Sequence, residues 1–159
     1  MNVNYITNRQ EFEAALAELW TIPKLCADFE TTGLDARVHE PRLLQLCTTQ
    51  EDVKDRTVYV IDFFKCKDID GLKALIESRQ MLLFHNANFD LQFFLKLGID
   101  YKKKIFDTFL AERCLRAGYK EKKVSPKTEK VFFGDVSCSL KAVVARRLEI
   151  EISKEQQVS

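Results

Sequence analysis

One stretch constrains this chain more than any other: Leu25-Cys26-Ala27-Asp28-Phe29-Glu30-Thr31-Thr32-Gly33-Leu34. Apolar residues lead into two carboxylates, and a turn follows. As a strand over 24–30, Asp28 and Glu30 stand at i and i+2 and share one face. Two like charges side by side repel each other and resist burial. A hard divalent cation reverses that penalty, because Mg²⁺ favours carboxylate oxygens. The other reading is an exposed strand end that happens to be acidic. The pair alone leaves both open.

The rest of the chain limits what such a site could serve. At 159 residues it reads as a single domain, 1–159, large enough for a real core. A hydrophobic content of 46% with 31% charged residues is ordinary for a soluble globular protein. No apolar run is long enough to span a membrane, and no signal peptide pattern opens the chain. The cysteines, at 26, 47, 66, 114 and 138, are odd in number, widely spaced and without a C-x-x-C. That pattern predicts reduced thiols in a cytoplasmic protein, with neither a disulfide frame nor a zinc site. His39 and His85 are too few and too far apart for a histidine metal centre. The net charge is +1, so affinity for nucleic acid must come from a local patch or from metal ions.

Read in order, residues 8–19 form a helix capped by Asn8, with Phe12, Ala15, Leu16 and Leu19 at helical spacing. Strands follow at 24–30, 43–49 and 57–62, close enough together to be antiparallel neighbours. A helix over 70–78, with Asp70 as its cap, precedes a short apolar strand at 81–84. Residues 88–97 read as a buried helix ended by Gly98. A short strand at 104–106 leads to Asp107, read as the cap of a helix reaching about 115 and also as a brace for the cleft of the acids. Residues 116–130 carry six basic and two acidic residues, a net of +4. Gly118, Ser125, Pro126 and Thr128 make this segment a loop, either a solvated insertion or an arm that tracks phosphates. A helix capped by Ser139 and a polar tail over 149–159 complete the chain. Three antiparallel strands followed by alternating helices and strands predict a mixed α/β sheet.

Two motifs go further. Asp28-Phe29-Glu30-Thr31-Thr32-Gly33-Leu34-Asp35 resembles the first motif of the DEDD 3′–5′ exonucleases, the family of RNase D and of the proofreading domain of DNA polymerase I. His85-Asn86-Ala87-Asn88-Phe89-Asp90 resembles the second. Arg42-Leu43-Leu44-Gln45-Leu46 is similar to that family's second strand, and Ser139-Leu140-Lys141-Ala142-Val143-Val144 to the helix before its third motif. The resemblance covers nearly the whole chain. It implies an RNase H-like α/β fold, with a mixed five-stranded sheet flanked by helices.

It also implies two divalent cations, Mg²⁺ or Mn²⁺. Asp28 would bridge both, Glu30 would bind the one carrying the attacking water, and Asp90 would hold the second directly or through water. Asp90 also has a plainer reading, as an acid in the first turn of a helix. Thr31, Thr32, Gly33 and Leu34, with His85, Asn86 and Phe89, would contact the terminal nucleotide or shape the turns around it. Lys120, Lys122 and Lys123 are the candidate nucleic-acid patch. The implied partner is the 3′ end of a single strand, with DNA favoured by the Thr-Thr-Gly-Leu-Asp ending of the first motif.

One part of the pattern is missing. The family's third motif is Tyr-x-x-x-Asp or His-x-x-x-Asp, and no Tyr or His here has an acid four residues on. Residues Arg9, Phe63, Ile105, Lys123, Leu43 and Phe89 occupy those places. Three of four metal acids remain, so the expectation is an exonuclease domain ending before its last helix, with impaired activity. The alternatives are a non-catalytic nucleic-acid-binding module or a structural domain whose motifs are accidents. A second copy or a polymerase chain would cover the open edge.

Overall fold

The computed structural model describes residues 1–67 and 69–152. Two compact units make up the chain, Met1–Asp107 and Thr108–Ser159.

The first unit is built on a six-stranded sheet. Its strands are β1 (Asn2–Ile6), β2 (Lys24–Thr31), β3 (Pro41–Thr48), β4 (Thr57–Asp62), β5 (Met81–Phe84) and β6 (Lys104–Asp107), in the spatial order β1-β4-β3-β2-β5-β6. β2, β3 and β4 are antiparallel neighbours, while β1, β5 and β6 join in parallel. This is the expected mixed sheet plus one strand. β1 is the addition: it sits at the edge, and Ile6 is its one buried residue.

Three helices accompany the sheet: α1 (Arg9–Leu19), α2 (Leu72–Ser78) and α3 (Ala87–Lys96). Asn8 caps α1, accepting from the Glu11 amide at 3.0 Å. α2 is not capped by Asp70; Gly71 precedes it in the left-handed region, at φ 92°. α3 ends where expected, with Gly98 at φ 75°. The alternation along β2 is strict: Leu25, Ala27 and Phe29 are buried, whereas Asp28 and Glu30 on the opposite face are exposed. Phe29 meets Phe94 edge-on at 4.8 Å between ring centroids, and Phe63 and Phe93 at 6.2 and 6.0 Å. Arg79 is buried and donates to the Leu19, Ile22 and Leu75 carbonyls, closing the open C-terminal end of α1.

The second unit contains α4 (Thr108–Leu115), a two-stranded antiparallel hairpin of β7 (Lys120–Val124) and β8 (Val131–Asp135), and α5 (Leu140–Leu148). The hairpin corrects the loop expected over 116–130. Pro126 and Thr128, read as breakers of the whole segment, lie in the connection between its strands. Ser139 caps α5, as expected. The polar tail expected over 149–159 runs past Ile152, outside the described residues.

At the centre of this unit stands Glu112 of α4, its side chain 4% exposed. Arg146 of α5 donates to Oε1 at 2.5 Å, and Arg147 of α5 to Oε2 at 2.9 Å. Arg116, one turn further on, donates to Oε1 at 3.1 Å. These guanidinium groups, Arg147 first, hold the Glu112 carboxyl down at about 2.

Candidate active site

The site begins where two strands part. β5 pairs with β2 only from Lys24 to Cys26, then turns away into α3. The last residues of β2 are left without a neighbour on that side. The Phe29 amide, which lies between Asp28 and Glu30, would be stranded there. Instead it donates to Oδ1 of Asp90 at 2.9 Å. Asp90 lies in the first turn of α3 and is 2% exposed. One backbone bond thus brings the acid of the second motif to the two acids of the first. A shift in the β2–β3 register follows between Glu30 and Thr31, the kind of irregularity that redirects side chains at a strand end.

The electrostatics follow from that crowding. Burial, and then the Asp28 charge, push Asp90 up to about 7, against the pull of the Phe29 amide. Desolvation by the surrounding protein, and then Glu30, raise Asp28 to about 6. None of the three carboxylates has an ion-pair partner among the described residues. A hard cation suits this donor set by type, all oxygen, and by uncompensated charge. The geometry gives two linked pairs, Asp28 with Glu30 and Asp28 with Asp90. Among the described residues no group of three or more His, Cys, Asp or Glu side chains is arranged to hold a metal ion as it stands.

Asp107 belongs to this region through the start of α3. Its carboxylate caps α3, a helix that precedes it in the chain. Its two oxygens accept from the Asn86 amide at 3.0 Å and the Ala87 amide at 2.9 Å, and its charge adds to the repulsion on Asp90. The cue was present: an acid at the end of a strand is as able to cap a neighbouring helix as its own. Asn86 precedes α3 in the left-handed region at φ 73° and makes no side-chain cap bond. Its backbone bends the chain into the helix. His85 is half-buried beside it. Phe89 packs on Phe93 at 5.1 Å, against the core.

The turn after Glu30 is held by its own threonines. Thr31 Oγ1 donates to the Gly33 carbonyl at 2.7 Å, and Thr32 Oγ1 accepts from the Glu40 amide at 2.9 Å. Gly33 has no left-handed backbone to excuse it. A Cβ there would come within 2.5 Å of the His39 imidazole, so any larger residue would have to push that ring aside. Sequence reasoning missed His39 in this role. Leu34 is 84% exposed. Lys120, Lys122 and Lys123 lie on β7 in the second unit.

The sequence matches the 3′–5′ exonuclease family over residues 3–159. A curated relative, DNA polymerase I of Aquifex aeolicus, is 32% identical over 115 residues, covering 72% of this chain and 18% of that protein. The fold is shared with Escherichia coli RNase D, with a TM-score of 0.69 and 19% identity, covering 100% of this chain and 36% of that one. It is shared also with the catalytic core of RRP6 from Trypanosoma brucei, with a TM-score of 0.72 and 18% identity, covering 99% and 37%. The chain therefore spans only a fraction of these relatives' lengths. The mixed sheet with its flanking helices is the RNase H-like arrangement of those exonucleases. Carrying both acidic motifs at the parting of β2 and β5, and matching over almost all its length, the chain belongs to the 3′–5′ exonuclease family of the DEDD superfamily.

Proposed function

We propose that this chain removes nucleotides from the 3′ end of single-stranded nucleic acid, DNA in the first instance, with Asp28, Glu30 and Asp90 holding two divalent cations, Mg²⁺ or Mn²⁺. The observation that carries the reading is the Phe29–Asp90 bond, which gathers three uncompensated carboxylates at one strand end. In the reaction water adds to the terminal phosphorus and the bond to the preceding 3′ oxygen breaks. That oxygen takes a proton, leaving a nucleoside 5′-monophosphate and a shortened strand. Cations, when bound, supply positive charge to the phosphate oxygens and acidify the attacking water.

The chain's own residues do the placing. Asp28 interacts with both other acids and would be the ligand shared between the cations. Glu30 lies on the same face of β2, two residues on, and Asp90 is fixed in orientation by the Phe29 amide. Thr31, Thr32, Gly33 and Leu34 form the turn beside the acids, where the terminal nucleotide would lie with His85, Asn86 and Phe89 opposite. No Tyr or His precedes an acid by four residues, so nothing in these 159 residues supplies the family's third motif. Turnover is accordingly low, because a loosely aimed nucleophile costs orders of magnitude. No described helix is long and apolar enough to cross a membrane, and the five free thiols agree with a cytoplasmic setting. A polymerase chain or a second copy as further partner belongs to the same reading.

The test is a 5′-labelled single strand incubated with Mn²⁺. A ladder of shortened products, absent with Asp28→Asn, is expected. A gel shift with no ladder at any metal concentration would leave a binding module in its place. Mn²⁺ should also raise the melting temperature of the wild type and not of Asp28→Asn, since a ligand of the native state stabilises it by mass action.

A further inference from the structure

The two faces of the β7–β8 hairpin differ in what they leave open. The register sets Lys122 opposite Phe133 and Lys123 opposite Phe132. Alternation puts Lys120, Lys122, Val124, Val131, Phe133 and Asp135 on one face, and Glu121, Lys123, Phe132 and Gly134 on the other. The second face is partly filled by its own side chains, with Phe132 48% exposed. A Cβ at Gly134 would lie 3.1 Å from the Lys123 stem and 3.2 Å from the Phe132 ring, so both side chains fold over that glycine. Lys123 also pairs with Glu121 at 3.3 Å.

The first face stays unfilled. Phe133 is 72% exposed and has neither a ring nor a cation partner among the described residues. Lys120 is taken by Asp135 at 2.5 Å. Lys122, directly across from Phe133, has no ion pair among the described residues. A bare ring thus stands beside an uncommitted ammonium, with side chains of such cross-strand partners about 5 Å apart at Cβ. Val124 and Val131, 61% and 54% exposed, share this face with Phe133, so the ring belongs to an apolar strip and is not a lone surface residue. The cover that matches both ring and ammonium is a nucleotide, which offers a flat π face and an anionic phosphate close together. The net charge of +4 over 116–130 selects a polyanion over an apolar or acidic-poor partner.

We propose that the Phe133–Lys122 face of this hairpin is a contact site for the unpaired bases of a single-stranded nucleic acid, Phe133 stacking on one base and Lys122 meeting the phosphate beside it. The inference rests on the exonuclease reading for its substrate class. It replaces the three-lysine patch of the sequence by one lysine and one aromatic ring. Stacking on a ring tolerates any base, because every base has a π face.

The test uses the full chain in EDTA, with fluorescein-labelled oligodeoxyuridylate and oligouridylate read by anisotropy. Phe133→Ala should weaken binding about 5- to 100-fold, and Phe133→Trp should retain it. Combined with Trp20→Phe, the Phe133→Trp variant carries its only indole on the hairpin, and unlabelled strands of either kind should quench its fluorescence. Lys122→Gln should lower the slope of log affinity against log salt by about 1. A loss confined to one of the two strands supports the site and assigns the sugar. Unchanged affinity of Phe133→Ala, with no quenching at position 133, overturns the proposal and leaves the face to a protein partner. That result alongside wild-type cleavage in Mn²⁺ removes this inference alone. Binding through Phe133 with no cleavage in Mn²⁺ removes only the exonuclease reading, a wild type that binds neither strand in EDTA removes the hairpin site, and one that in addition does not cleave in Mn²⁺ removes both.

Discussion

The two units of this chain are held together by opposite kinds of interior. In residues 1–107 the centre is apolar: Phe29, Phe93 and Phe94 meet ring against ring beneath the sheet, with Leu44, Leu46 and Ile61 fully buried beside them. In residues 108–152 the centre is a carboxylate, Glu112, clasped by Arg116, Arg146 and Arg147, while Leu110, Leu115, Leu140 and Leu148 stay exposed. Apolar burial is non-directional and grows with area. An ionic clasp is directional, depends on each partner, and carries a desolvation cost that only full pairing offsets. Glu112 escapes much of that cost because its cover consists of guanidinium groups that are themselves partly exposed. The first unit should therefore yield to lost volume, and the second to lost charge.

The sharpest break is in the apolar unit. Phe94→Ala should cost about 3–5 kcal/mol, the usual range for removing a core phenylalanine. Trp20, the one tryptophan, lies in that unit and reports its unfolding by fluorescence. A loss under about 1 kcal/mol would mean that the three rings are not the core of this unit.

Next comes the clasp. Glu112→Ala leaves three guanidinium groups without their acceptor, and the amides of α4 and α5 should lose most of their protection from hydrogen exchange. Trp20 melting should hardly move. A common shift in both readouts would refute the separation into two interiors.

pH pulls the two apart. Asp90 binds its proton at about 7 when folded, against an ordinary 3.8. Between those values the folded state holds more protons, so in metal-free buffer the stability of the first unit falls as pH rises from about 4 to 7. Glu112 has the reverse sign: its contribution is complete above its ordinary 4.5 and is lost as pH falls towards about 2. Exchange measured from about pH 3 to pH 8 should show the units trading places in relative protection.

The smallest effect is the most informative about the site. Asp90→Asn keeps an oxygen for the Phe29 amide and removes the charge that crowds Asp28. It should stabilise the metal-free protein by roughly 1 kcal/mol while abolishing the metal-dependent ladder. Destabilisation instead would show that the carboxylate is compensated by something other than a cation.

Much of this was legible beforehand, and what was not has identifiable causes. Asn8, Gly98 and Ser139 announced helix ends because capping is a local event. β2 announced itself by alternation, and its acids by their shared face. β1 gave no such sign: at the sheet edge Asn2 and Asn4 occupy positions that need bury nothing, and Ile6 alone anchors it. β7 was hidden by lysines, which an exposed hairpin carries as readily as a loop. Glu112 and Arg146 are 34 residues apart, and charges so common give no hint of which pair. Asp107 was recognised as a cap, but caps also act through space, and nothing local announced that it would hold an amide 20 residues earlier.

The Phe29–Asp90 bond sets a tolerance. An acid held only by its own rotamer wanders by about an ångström or more as its helix breathes. Here Oδ1 takes the place of a carbonyl on the strand that β5 no longer provides, so Asp90 is aligned as one rung of the sheet is aligned to the next. Its second oxygen inherits that alignment. A longer acid would overshoot the rung and a shorter side chain would leave it empty. At position 90 the chain can therefore exchange charge for amide, but it cannot exchange length.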